Sequence, residues 1–253
     1  MTNLHRNSTV RSWATTEENM TRVFSVDLYW SFRSPYSYLA LPRVIALAEQ
    51  RNVQWNVKVV YPLAIRYPEH FSRQHLLARP YFLADCIRVA EALGMPFRRP
   101  LPDPIVQDPE TLAISANQPH IRHLTRLGVE ATRRGKGLRF ILEVSRLLWD
   151  GSVTGWNEGE HLSQAALRAG LDLQDMEHSI ASDSDAYDKI IECNQASQLA
   201  SGHWGVPLFV FDGEPFFGQD RIDLLTWRMT QCGLPDNCAV TSDSSINVLR
   251  RPA

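Results

Sequence analysis

Ser34 followed by Pro35 is the residue pair in this chain with the plainest chemical use. A serine before a proline opens a helix. The serine oxygen accepts from the first free backbone N–H groups, and proline's fixed φ suits the first helical position. Such a helix end gathers unpaired N–H groups and the positive end of the helix macrodipole in one small volume, which favours an anion. A thiolate is one such anion, and the same effect depresses the pKa of cysteines at helix N-termini. Here the position carries a hydroxyl and no thiol, so the thiolate it suits is one that arrives on a ligand. A plain N-cap accounts for Ser34 equally well, and the motif alone does not separate the two.

Other candidates carry the same double reading. Pro207 can simply begin a strand. Set opposite the Ser34 corner, a cis Val206–Pro207 bond would leave the N–H and C=O of Val206 free to pair with a peptide-like ligand as an added strand. In Gly218-Gln219-Asp220-Arg221, Asp220 is either the N-cap of the last helix or a carboxylate offered to a ligand's amino-acid end. Tyr81, Asp85 and Arg88 share one helix face; a surface Asp85–Arg88 pair of little energetic weight is the simpler account. His120 and His123 could share a face, but a metal needs further ligands that the sequence does not offer, so none is expected. Trp30, Tyr36, Tyr38 and Trp204 suit either an aromatic cleft or the core.

These groups need a particular set of elements to hold them. Residues 23–30 read as a strand, 35–49 as a helix that Pro42 should kink, and 53–59 as an alternating strand. Strand, helix and strand with a short return imply a parallel βαβ unit. From 75 to 199 the pattern is helical, with helices at 80–93, 120–134, 138–149, 160–169 and 185–199, and a proline-rich connector at 95–109. Strands return at 208–211 and 215–217 around Asp212-Gly213, the strongest short-range hairpin signal, before a helix at 220–229. The order is α/β and thioredoxin-like, βαβ then ββα, with a large all-α insertion. It divides the chain into a polar extension at 1–20, a discontinuous thioredoxin-like domain at 21–74 and 200–235, a helical insertion at 75–199, and a loose polar tail at 236–253.

Composition narrows the function. At 253 residues, with 44% hydrophobic residues and a formal net charge of −2, the chain has no electrostatic reason to bind nucleic acid or an anionic membrane. Arg133, Arg134, Lys136 and Arg139 form one basic cluster, read as a solvated helix end. The cysteines, Cys86, Cys193, Cys232 and Cys238, include no CxxC, which fits a reducing, cytoplasmic compartment. No stretch approaches the ~20 apolar residues of a membrane span. The first residues lack the apolar core of a secretory signal, and Met20 stands as an alternative start.

The run Ser31-Phe32-Arg33-Ser34-Pro35-Tyr36-Ser37-Tyr38-Leu39-Ala40 resembles the S-P-[FY]-S-Y-L-A signature of the 2-hydroxychromene-2-carboxylate isomerase family. That family is a DsbA-like branch related to kappa-class glutathione transferases. Gly205-Val206-Pro207, Asp212-Gly213-Glu214 and Phe217-Gly218-Gln219-Asp220-Arg221 are similar to its second signature. Tyr81, Asp85, Arg88, Ala90 and Gly94 match its Y-x3-D-x2-R-x-A-x3-G helix. The resemblance spans 23–229. It implies a DsbA-like thioredoxin fold, glutathione as cofactor, a cytoplasmic homodimer, and a small unsaturated oxo acid of aromatic catabolism as substrate. It implies that Ser34 is the catalytic residue that activates the glutathione sulfur. Val206, beside Pro207, would pair with the cysteinyl backbone, and Asp220, with Gln219 and Arg221, would hold the γ-glutamyl end. Ser-Pro-Tyr-Ser stands where thiol–disulfide oxidoreductases of this fold carry Cys-x-x-Cys, so disulfide exchange by protein thiols is not possible there. Two family features are missing: a glycine-asparagine pair in 61–68, and a lysine before the Tyr81 helix, for which Arg73 or Arg79 is the available substitute. Two other functions fit the same residues. One is a kappa-type glutathione transferase or peroxidase; the other is a redox-dead thioredoxin-like module that binds a peptide through Val206 and the exposed strand edge.

Overall fold

The structure is a computed structural model that describes residues 23–108, 110–111 and 113–235. The proposed extension, Met20, and the tail with Cys238 lie outside the described residues. Strand β1 (Phe24–Trp30), helix α1 (Pro35–Arg51) and β2 (Val53–Val59) come first. They are followed by α2 (Leu63–Arg66), α3 (Glu69–Ser72), α4 (Ala78–Ala92), α5 (Pro119–Arg133), α6 (Gly137–Trp149), α7 (His161–Arg168), α8 (Leu173–Ser182) and α9 (Ser184–Ala200). The chain then forms β3 (Leu208–Phe211), β4 (Glu214–Phe217), a 3-10 turn (Gln219–Arg221) and α10 (Ile222–Gln231). The sheet order is β2-β1-β3-β4, with β2 parallel to β1, and β3 antiparallel to both β1 and β4. This is the expected α/β layout of a thioredoxin core interrupted by helices.

Alternation in β1 and β2 decides which face is buried. Phe24, Val26, Leu28 and Trp30 face the main core together with Val53, Trp55, Val57 and Val59. Trp55 Nε1 donates to Val44 O at 3.1 Å, fixing α1 on that face. The opposite face combines a small second apolar cluster of Tyr29, Val60 and Leu208 with polar pairs: Lys58 meets Asp27 at 2.5 Å, and Tyr29 hydroxyl meets Ser197 Oγ of α9 at 2.7 Å. Asp212 (φ 49°) and Gly213 (φ 80°) both adopt positive φ, as a two-residue hairpin of the type read from the sequence requires.

Some expectations change. Helix α1 runs unbroken through Pro42. The single turns α2 and α3, and α8, are additional elements. The last helix begins at Ile222, because 219–221 winds as a 3-10 turn. The basic cluster is not simply a solvated end. Arg134 bridges Glu130 (2.7 Å) and Asp175 (2.5 Å), and Arg133 donates to Tyr187 hydroxyl (2.8 Å), around a Glu130 only 5% exposed. No helix among the described residues is long and apolar enough to cross a membrane.

Candidate functional site

Between β1 and α1 the chain turns a corner that other segments hold from outside. Ser34 N–H closes it onto Ser31 O at 3.1 Å. Trp149 Nε1 of α6 donates to Phe32 O at 2.9 Å, and Arg33 forks onto Asp103 at 2.8 and 3.0 Å. Ser34 has extended backbone (φ −94°, ψ 114°), Pro35 takes the first helical position, and Ser34 Oγ accepts from Ser37 N–H at 3.2 Å. The N-cap is therefore formed. The same hydroxyl also donates to Val206 O at 3.3 Å, across 172 residues of sequence. Val206–Pro207 is cis, and the Val206 amide has no partner among the described residues. Ser31 and Ser37, both buried, flank Ser34 with hydroxyls that lack partners.

A second feature lies beyond the Val206 turn. Arg66, on α2, donates to Tyr61 O (2.7 Å), Gln198 Oε1 (2.9 Å) and Trp204 O (2.8 Å). Its acceptors are all uncharged, and no carboxylate reaches it among the described residues. Burial lowers its pKa to about 10. It lines a cavity of about 620 Å³ with Arg73, Leu199 and Trp204. Arg73 is paired with Glu69, so Arg66 supplies the uncompensated charge there. Trp204 is two residues from Val206, no more than about 7 Å of backbone. The sequence singled out Arg73 and Arg79; Arg73 does line this cavity, and Arg66, which the sequence did not single out, lines it with acceptors that are all neutral.

The remaining candidates divide. Gln219, Asp220 and Arg221 make no hydrogen bond to Ser34 among the described residues but follow Gly218, whose N–H donates to Pro207 O at 2.9 Å. Gln219 accepts from Arg43 of α1, whose pKa burial lowers against the opposing charges of Asp223 and Asp220. Asp220 caps no α-helix; its exposed carboxylate pairs with Arg221 at 3.1 Å. Tyr36 hydroxyl donates to Asp85 at 2.6 Å, and burial, then that bond, raises its pKa. Asp85 also meets Arg88 at 3.4 Å, and Arg88 lies over the Tyr81 ring. The neighbouring Cys86 thiol is pushed up to about 12 by burial and Asp85, which makes it a poor nucleophile. Trp30 and Tyr38 are core residues, leaving Tyr36 and Trp204 as partly open aromatics. His120 meets Trp156 edge-on and His123 pairs with Glu177, so the two histidines serve different partners.

The arrangement can hold a thiolate and a short peptide. It offers a hydroxyl at a helix end, an amide at Val206 and a cation at Arg66 that have, respectively, no acceptor and no counter-ion among the described residues, and a carboxylate on the neighbouring turn.

The sequence profile of the DSBA-like thioredoxin domain matches residues 25–229. Among curated proteins no match is found. A solved 2-hydroxychromene-2-carboxylate isomerase is 19% identical with a TM-score of 0.61, covering 82% of this chain and 95% of that one. A probable DsbA oxidoreductase from Streptomyces coelicolor is 18% identical (TM-score 0.59), covering 88% and 95%. The cytosolic disulfide reductase DsbM from Pseudomonas aeruginosa, solved with GSH, is 13% identical (TM-score 0.52), covering 81% and 99%. At these identities the likeness establishes the fold.

Proposed function

The chain belongs to the DSBA-like thioredoxin domain family, and from that premise we propose that it is a glutathione-dependent isomerase of the 2-hydroxychromene-2-carboxylate type. The observation that carries the reading is the Ser34 hydroxyl, which sits at the open end of α1 and faces Val206 in a motif without a thiol. Sulfur chemistry at that corner has to come with a ligand. Bound there, glutathione would supply a thiolate that adds reversibly to a conjugated double bond, so that rotation can follow. Ser34 Oγ–H, engaged only in a long bond to Val206 O, is the donor available to a sulfur anion, and the α1 end adds its positive potential. Val206 N–H is the free donor for a peptide backbone. Arg66 meets a ligand carboxylate, and Asp220, with Gln219 and Arg221 beside it, meets an ammonium group. Fixed dipoles at the corner stabilise negative charge that develops during the reaction. The isomerase and the GSH-bound reductase among the structural neighbours support this reading. Homodimerisation and a cytoplasmic location belong to the same proposal and rest on the resemblance.

The test is ultraviolet-followed isomerisation of 2-hydroxychromene-2-carboxylate with and without glutathione. Turnover that requires glutathione and leaves it unconsumed is expected. Consumption of glutathione would make the protein a transferase. Absence of both turnover and glutathione binding would leave a thioredoxin-like binding module.

A further inference from the structure

Five hydrogen bonds hold residues 203–207, the turn that carries Val206. Arg66 takes Trp204 O (2.8 Å), Gln198 takes Gly205 O (2.6 Å), Ser34 takes Val206 O (3.3 Å), and Gly218 N–H takes Pro207 O (2.9 Å). The fifth has the opposite polarity, because Gly205 N–H donates to His203 Nδ1 at 2.9 Å. An accepting Nδ1 requires the neutral imidazole with its proton on Nε2. The ring is held in place by stacking on Phe217 (3.9 Å between centroids, 21°) and on Trp204 (4.5 Å, 6°). A Cβ at Gly205 would stand 2.3 Å from Phe217 Cε2 and 3.0 Å from His203 Cε1, so a larger residue there would have to displace the stacked rings.

We propose that His203 is the positioning residue of the ligand site: its neutral ring holds Gly205 N–H and thereby sets the Val206 peptide opposite Ser34, and protonation of the ring releases the turn. The inference rests on the glutathione reading for the identity of the ligand. A protonated imidazole offers two N–H donors and no acceptor, so Nδ1–H would oppose Gly205 N–H. The four carbonyl bonds have no comparable dependence on pH near neutrality.

The surroundings favour the neutral ring. Its stacking partners, Trp204 from its own turn and Phe217 from β4, are uncharged. Arg66 of α2 reaches the turn with like charge through Trp204 O, and Gln198 of α9 is neutral. Glu214 of β4 is engaged by Arg228 of α10 at 2.6 Å. Burial lowers the imidazole pKa from its ordinary value. The turn is therefore formed at neutral pH and is lost as pH falls below the usual imidazole value of about 6.5.

The experiment uses the full chain, 15N-labelled, between pH 8 and 5. The Gly205 amide resonance is followed by NMR and glutathione affinity by calorimetry, for the wild type, His203→Phe and His203→Asn. Phenylalanine keeps a stacking ring without the acceptor. Asparagine restores an acceptor for the N–H two residues on, in an Asx turn that does not titrate. In the wild type the Gly205 amide should move with His203 protonation, and affinity should fall about tenfold, the size of one lost hydrogen bond. His203→Phe should be weak at every pH, and His203→Asn should recover affinity and lose the pH dependence. A Gly205 amide that ignores His203, or a His203→Asn protein with the wild-type pH profile, overturns the inference. Glutathione binding by none of the proteins at any pH overturns the functional reading alone; the Gly205 titration then decides the role of His203.

Discussion

Replacing Arg66 by glutamine separates what the guanidinium does for folding from what it does for a ligand. Its bonds to Tyr61 O, Gln198 Oε1 and Trp204 O are each worth about 1 kcal/mol. The shorter glutamine amide can keep one of the three, so the variant loses about 2 kcal/mol of hydrogen bonding. Against this, burial holds the guanidinium pKa at about 10, well below its ordinary value. That shift corresponds to at most about 3 kcal/mol of disfavoured charge, which glutamine removes. The two effects nearly cancel. Stability should change by no more than about 1 kcal/mol, or ~2–4 °C in Tm for a chain of this size. Ligand binding has no such compensation. Losing a charged donor to a carboxylate costs about 1.5–3 kcal/mol, roughly 10- to 150-fold in Kd. The assay is a thermal melt followed by calorimetric titration with glutathione and with its glycyl ethyl ester. Arg66→Gln should weaken glutathione binding to the level of the ester, and the ester should bind both proteins alike. Glutathione bound as tightly by Arg66→Gln as by the wild type would refute Arg66 as a ligand contact. A fall in Tm beyond ~8 °C would show that the guanidinium is chiefly structural.

Ser34→Ala should lower stability by only ~1 kcal/mol, the usual worth of a cap. It should cut glutathione-dependent turnover at least tenfold by the ultraviolet assay; unchanged turnover would remove Ser34 from the chemistry. Ser34→Cys combined with Ser37→Cys places two thiols at the start of α1, where the first should titrate below the free value of ~8.5. The first thiolate should then attack oxidised glutathione and release one glutathione, and the second thiol should displace the other to close a protein disulfide. Intact mass reads the mixed disulfide or the loss of two hydrogens, and a protein left unmodified would show the corner closed to the ligand. Asp188, forked by Arg126 at 2.8 and 2.6 Å, has its carboxyl held below the usual range chiefly by that bond. Its contribution is present above the ordinary carboxylate value and fades as pH falls through the native one. Asp188→Asn should therefore cost about 1–2 kcal/mol at pH 7 and much less at pH 2, measured by urea unfolding; an equal loss at both would contradict the ion pair.

The strands were legible because one buried face forces period-two alternation. Val53, Trp55, Val57 and Val59 carry that signal whatever lies far away in the chain. The Ser34-Pro35 cap and the Asp212-Gly213 turn are equally local, each needing a residue type that its own backbone requires. Apart from the Ser34–Val206 corner, contacts between distant segments were not legible. Arg66 reads in sequence as an ordinary arginine between Ile65 and Tyr67, and only the fold brings it three neutral oxygens and no carboxylate. The single turns α2 and α3 are too short for periodicity to show. Arg134 meets Asp175 41 residues away, so a cluster that reads as a solvated end is largely committed within the protein. Trp30 and Tyr38 read as cleft or core equally, until the helical layer buries them.

The corner is fixed from several directions at once, and this bears on where specificity can reside. Trp149 of α6 holds Phe32 O, Asp103 of the connector holds Arg33, Asp85 of α4 holds Tyr36, and Val206 meets Ser34. Four separate segments thus converge on five consecutive residues, leaving Ser34 little freedom, as a preorganised donor to developing charge requires. Helix α4 is built differently. Only Cys86 and Ala90 are buried along it, while Tyr81, Ile87 and the preceding Leu76 and Leu77 are exposed. It leans on the corner through the Tyr36–Asp85 bond and the edge-on contact of Tyr36 with Phe82. A helix with so few buried side chains can change its outward residues at little cost in stability. Under the proposed function, residues that select one substrate over another would therefore be more readily varied on α4, whereas the sulfur chemistry would be tied to a corner that tolerates little change.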